Sequence, residues 1–242
     1  MQQLKQWIKH GNTPLARNAW RLALALRHAQ MPLIPGLHHA LYLSYSAARQ
    51  ALSNLARCLW WTPLMQSRLI APAPRLYLYG GLPAILGPLQ LRIGADCRVA
   101  GRTTLSGRGV EGQPAVLEVG RNCDIGWGSS IAVGRRVVLG DNVRLAPNCF
   151  LAGYPGHPMN AAERAAGLPE HPEQIGDIVL AADVWLGTGV IVMAGVHIGT
   201  GTVVAAGSVV TRDLPAGVLA GGSPARVLRH LSENDLGSGV LA

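Results

Sequence analysis

The chain has 242 residues, enough for one full domain or a domain with an appendage. Aromatics are only 5% of the residues and glycine reaches 30, a composition that suits a thin prism better than a thick globular core. The formal charge of +8 is split unevenly: residues 1–95 hold ten Lys/Arg and no acid, giving +10, and residues 96–242 hold eleven against thirteen acids, giving −2.

That charge step predicts a boundary near residues 75–80. The expected organisation is a basic amphipathic helical segment (1–75), a repeat domain (76–230) with an extruded loop (152–177), and a tail (231–242). At the front, Asn12-Thr13-Pro14 reads as a helix start, a capping residue followed by a proline suited to the first turn. Leu15, Ala19, Leu22 and Leu26 then follow helical spacing, with Trp20 and Leu24 on the flank. A second stripe runs Leu41, Tyr45, Ala48, Leu52, Leu55 and Leu59, leaving Arg49 and Arg57 off it, with Trp60-Trp61 at its end. Pro, His and Arg interrupt both stretches, so no membrane-spanning run is expected, and no cleavable signal pattern is seen. Two uses fit equally: contact with an anionic membrane surface, or closing the open end of a solenoid or packing between subunits. No nucleic-acid reader motif accompanies the charge, so no nucleic-acid partner is expected.

From Ile93 onward a six-residue beat sets in. Aliphatic anchors fall at Ile93, Val99 and Leu105, at Val119, Ile125 and Ile131, and at Val133, Leu139, Leu145 and Leu151. After an interruption the beat runs unbroken through Leu180, Leu186, Val192, Ile198, Val204 and Val210. The position four beyond each anchor repeats as well, in Val184, Val190, Val196, Thr202, Ser208 and Leu214. Six suits neither a helix nor a long alternating strand, but it suits short strands broken by turns. Each unit cannot bury its apolar face alone and must stack on its neighbours, which predicts a mainly β, hexapeptide-repeat solenoid. Cys97, Cys123 and Cys149 each lie four residues after an anchor, where small inward side chains belong. They form no CxxC pair, so core thiols in a reducing compartment are expected, with no metal site.

The beat stops between Leu151 and Leu180. The intervening stretch carries His157, Glu163, Arg164, Glu170 and His171, and an insertion of this kind projects from the side of a solenoid. Here the sequence resembles a known family. The order Asp141-Asn142-Val143, Ala146-Pro147-Asn148, Gly156-His157-Pro158, Arg164 and Val184-Trp185-Leu186-Gly187 is similar to the maltose and galactoside O-acetyltransferase branch of the hexapeptide acyltransferases. So is the later run Ala206-Gly207-Ser208-Val209-Val210-Thr211-Arg212-Asp213-Leu214-Pro215, with Ala220-Gly221-Gly222-Ser223-Pro224-Ala225-Arg226-Val227-Leu228-Arg229. The resemblance covers roughly residues 91–230 and leaves 1–75 outside.

The resemblance implies a left-handed parallel β-helix, three hexads to a coil, assembled as a homotrimer with active sites between subunits. It implies acetyl-CoA as co-substrate, direct transfer to a saccharide hydroxyl, and His157 as catalytic base. Imidazole titrates near enough to neutrality for that role. The backbone N–H of Thr188 is implied as oxyanion donor, with Thr188, Ala206, Thr211 and Arg212 along the pantetheine arm and its phosphates and Arg226 and Arg229 toward the adenosine end. Guanidinium forks suit the phosphates there, and Gly221-Gly222 lets backbone approach. Trp185 is expected to wall the acceptor pocket. The branch's acceptor-side Asn is replaced at Gly126 and its nearby acid is missing around Gly134-Arg135, so the transfer machinery carries over better than the acceptor site. Asp124 and Trp127 are candidate local substitutes in that region, and Glu163 or Glu170 is a candidate orienter of His157.

The expected function is therefore O-acetylation of a saccharide, a lipid-linked or polymeric sugar of an exopolysaccharide or lipopolysaccharide pathway, at the cytoplasmic membrane face. The alternatives are a small free acceptor (a sugar, a serine-like amino alcohol or an antibiotic) and a non-catalytic membrane-recruited scaffold. A zinc lyase on the same fold would need imidazoles converging from His157, His171, His197 and His230, of which only His197 lies inside a hexad.

Overall fold

The computed structural model describes residues 2–110 and 112–236; residues 237–242 of the expected tail lie outside them. The chain separates into two compact units, Met1–Arg49 and Gln50–Ala242. The division falls inside a helix rather than at the charge step near residues 75–80.

The first unit is helical. Helix α1 (Gln2–His10) packs on α2 (Pro14–His28), and α3 (Pro35–Ala56) begins after a short extended link. Thr13 caps α2 as the sequence suggests, its hydroxyl accepting from the Ala16 N–H at 3.2 Å with Pro14 at the first position. Ala16 is fully buried. The leucines of the α2 stripe are not: Leu15, Leu22 and Leu26 stay exposed.

The second unit is a coil of short parallel strands. Tyr77–Tyr79, Ala84–Leu86 and Leu89–Ile93 make the first circuit, and Arg98–Ala100, Thr104–Gly107 and Ala115–Val119 stack on it in register. Successive circuits build three sheets of eight, six and five strands, all pairs parallel except the last hairpin. Every anchor of the six-residue beat points into the shared core, from Ile93 and Val99 through Leu186 and Val210, and so do Val184, Val190, Val196, Thr202, Ser208 and Leu214. The beat changes phase without breaking the core. Val137 lies six after Ile131 and Leu139 six before Leu145, and both point inward from the single strand Arg136–Leu139.

Small residues follow the anchors because the coils approach closely at the corners. A Cβ on Gly187 would lie 2.6 Å from the Ala206 nitrogen of the next coil. At another corner Asn122, Asn142 and Asp183 take positive φ (53°, 59° and 61°) and form a side-chain ladder, with hydrogen bonds of 2.8 and 2.9 Å.

Residues 62–76 close the first end of the coil. Met65, Ala73 and Leu76 join the solenoid core, and the Gln66 amide bonds the Ala73 backbone in both directions, at 2.7 and 3.0 Å. Within the expected basic segment, α4 (Thr62–Gln66) and the residues after it thus cover this end of the coil. The far end carries the antiparallel hairpin of Val218–Gly222 and Ala225–His230. Cys97, Cys123 and Cys149 are buried free thiols, and burial pushes the Cys149 thiol up to about 11; Cys58 is exposed.

Candidate active site

The interruption of the beat becomes a loop of residues 153–177, leaving the six-stranded face after Phe150–Ala152 and rejoining the five-stranded face at Ile178–Leu180. Asn160 caps a short helix, α5 (Ala161–Ala165), accepting from the Ala162 and Glu163 N–H groups at 2.9 and 3.3 Å. That helix aims Arg164 back along the chain, where its guanidinium donates to the carbonyls of Pro158 and Met159. The backbone just after His157 is thereby held by a charge-assisted clasp. His157 itself is exposed, and its ring makes no hydrogen bond among the described residues.

Further contacts tie the loop to the coil. Tyr154 Oη meets Ser106 Oγ at 3.2 Å, and Arg135 donates to the Ile175 carbonyl at 3.1 Å. The Glu170 side chain is 1% exposed, with Oε1 3.0 Å from Arg108 Nε. Its Oε2 has no partner among the described residues, so the Arg108 pair alone offsets the burial of that carboxylate. Glu163 pairs with His171 at 2.8 Å, and this hydrogen bond raises the His171 imidazole above its ordinary value. Both acids considered as orienters of His157 thus have other partners.

Asp124, Trp127 and Trp185, separate in sequence, line one cleft of about 230 Å³ with Tyr79, Arg144 and Pro147. Parallel register explains the convergence. Asp124, Arg144 and Trp185 are Cα partners on adjacent strands, each just before an inward anchor and therefore pointing outward. Trp127 stands at the corner that follows. Tyr79 organises this wall: its ring meets Trp127 edge-on at 5.1 Å, and its hydroxyl donates to Asp124 Oδ1 at 3.2 Å. Burial, then the charge of Asp124, pushes the Tyr79 phenol up to about 12. Gly80 makes room, since a Cβ there would overlap the Trp127 ring at 1.8 Å. Tyr79 and Arg144 were not foreseen. Tyr79 precedes the stretch that carries the resemblance, and the only signal for Arg144 was its place before the anchor Leu145.

The cofactor candidates divide among two corners and the terminal hairpin. Thr188 and Ala206 are exposed at equivalent turns of successive coils, joined by a Gly207 N–H to Thr188 carbonyl bond of 2.8 Å. The Thr188 N–H donates no hydrogen bond among the described residues. Thr211 and Arg212 lie across the six-stranded face, at the corner from which the His157 loop departs. Arg226 and Arg229 stand on the terminal hairpin. Arg226 bonds the Ala225 carbonyl, and Arg229 pairs with Asp235 at 3.0 Å. Among the described residues no three His, Cys, Asp or Glu side chains are grouped as a metal site.

Comparison with known proteins matches residues 177–212 to the family described as bacterial transferase hexapeptide (six repeats). Galactoside O-acetyltransferase of Escherichia coli (strain K12) is 38% identical over 120 residues, covering 49% of this chain and 56% of that protein. Nodulation protein L of Rhizobium meliloti (strain 1021) is 38% identical over 136 residues, covering 50% of this chain and 70% of that protein. The chain thus spans little more than half the length of the galactoside enzyme. A mutant of AntD, an N-acyltransferase from Bacillus cereus, is similar in fold, in a structure with dTDP-4-amino-4,6-dideoxyglucose and coenzyme A. That likeness has 18% identity and a TM-score of 0.56, over 71% of this chain and 89% of that one.

Proposed function

The chain belongs to the hexapeptide-repeat transferase family, and from that premise we propose that it is an acetyl-CoA-dependent O-acetyltransferase acting on a saccharide, on a left-handed β-helix. The observation that carries this reading is His157, exposed on a loop whose path is held by Arg164, Tyr154, Arg135 and the buried Glu170.

The reaction follows from the residues present. His157 takes the proton of the acceptor hydroxyl as its oxygen attacks the thioester carbonyl carbon. The Thr188 N–H meets the developing oxyanion, and the imidazolium returns the proton to the departing thiolate. An ester and free coenzyme A result. The exposed corner of Thr188 and Ala206 suits a pantetheine arm, with Thr211 and Arg212 toward its phosphates, and Arg226 and Arg229 supply donors for the adenosine end. The Arg229–Asp235 pair is exposed, so exchanging Asp235 for a phosphate costs little.

His157 and Thr188 belong to different corners of the coil, so we place each active site between two protomers of a trimer, one lending the His157 loop and the next lending Thr188 and Ala206. Cyclic closure gives three equivalent sites. The cleft of Asp124, Trp127 and Trp185 takes the acceptor. Aromatic faces stack on the apolar side of a sugar ring, and the carboxylate accepts from its hydroxyls. The acceptor we propose is a lipid-linked or polymeric sugar, met at the cytoplasmic membrane face through peripheral contact by residues 1–75.

The test is a panel of free sugars and lipid-linked saccharides incubated with acetyl-CoA, followed by thiol release and product mass. Acetylation of a lipid-linked saccharide in preference to free sugars supports the reading. Transfer only to an amino alcohol or an antibiotic would replace it.

A further inference from the structure

We propose that α2 and α3 each bind anionic lipid headgroups at a membrane surface, lying in the interface plane with their leucine stripes toward the acyl chains. The inference deepens the peripheral contact proposed above by naming the faces and the lipid charge.

Folding leaves both stripes in solvent. On α2, Leu15, Leu22 and Leu26 are 75%, 62% and 69% exposed. On α3 and the turn that continues it, Leu41, Tyr45, Leu52, Leu55 and Leu59 are exposed and recur at helical spacing, and α3 buries no residue at all. Exposed apolar area of this extent marks an interaction surface. On α2 the opposite side carries Arg17 and Arg21, and a wheel of 100° per residue puts them about 160° and 120° from the stripe. Trp7 and Trp60, both exposed, add the side chains that favour a membrane boundary.

Charge decides the occupant. The helical front contains Lys5, Lys9, Arg17, Arg21, Arg27 and Arg49 with no acid among residues 1–95. A second copy of the same segment would bring cations against cations, with no carboxylate to relieve them. A zwitterionic surface carries no net charge to attract them, whereas the negative potential of an anionic one draws these cations while the stripes enter the acyl region. Among the described residues no helix is long and apolar enough to cross the membrane, so the helices lie on it.

The test uses the full chain with sedimented vesicles of phosphatidylcholine alone or with phosphatidylglycerol, at low and high salt. We expect binding to the anionic vesicles, about tenfold or more weaker on phosphatidylcholine and weakened by salt. Leu52→Glu with Leu55→Glu should abolish it, and Arg17→Gln with Arg21→Gln should weaken it about tenfold or more and reduce its salt dependence. Both variants should keep the wild-type rate of acetyl transfer to an acceptor in solution, which separates this inference from the proposed activity. Equal binding to both vesicle types, or none, overturns it. So does an assembly dispersed by Leu52→Glu and Leu55→Glu in sedimentation velocity, which would assign the stripe to a second copy.

Discussion

Trp127 and Trp185 flank the cleft proposed for the acceptor from two coils, 39% and 52% exposed, and neither supports the core. Replacing either by alanine should raise KM for the acceptor about tenfold, leaving KM for acetyl-CoA within about twofold, because only stacking is lost. A rise in both KM values would move the tryptophans to the cofactor. Tyr79 offers a test of the same wall without substrate. Its phenol holds its proton to about 12 in the fold, against 10.0 as a free side chain. The folded state therefore binds more protons between those values, and stability falls as pH rises from 10 toward 12. Tyr79→Phe should show a shallower fall over that window in alkaline unfolding curves. An unchanged slope would deny Tyr79 its buried place beside Asp124.

At the scale of the element, one coil is the unit of stability, and its anchors carry it. Leu186 is fully buried between Leu145 and Val204 in register, so Leu186→Ala should cost roughly 2–5 kcal/mol in denaturant unfolding. A cost below about 1 kcal/mol would mean the prism can collapse around the gap. The beat was legible because a six-residue spacing places one aliphatic side chain on each face in turn. The cleft was legible only in part. Asp124 and Trp185 meet because strands 20 and then 41 residues apart stack in register, through Arg144. Those separations depend on the extra residues at Arg136–Leu139 and on the loop, which a local pattern does not reveal. The clasp of Arg164 on Pro158 and Met159 and the Arg108–Glu170 pair were hidden likewise, since both depend on how the loop folds back.

For the whole molecule, the charge step was plain in the sequence, but the compact units divide at Arg49/Gln50. Charge follows what a segment meets, and packing follows what it buries: Met65, Ala73 and Leu76 belong to the coil's core although their stretch is basic. The separation of His157 from Thr188 by a face of the coil predicts shared sites. The chain should sediment at three times its protomer mass. Mixing His157→Ala with Thr188→Pro, each inactive alone, should restore acetyl transfer after the subunits are exchanged, because some interfaces then pair an intact loop with an intact Thr188. Mixtures that stay inactive would place both groups in one protomer.

The most direct measurement is thiol release from acetyl-CoA in the presence of a saccharide acceptor, for wild type and His157→Ala. Release should depend on the acceptor and fall at least about a hundredfold in kcat in the variant, with KM for acetyl-CoA little changed, as for loss of a general base. Release that persists in His157→Ala at the wild-type rate would contradict His157 as that base.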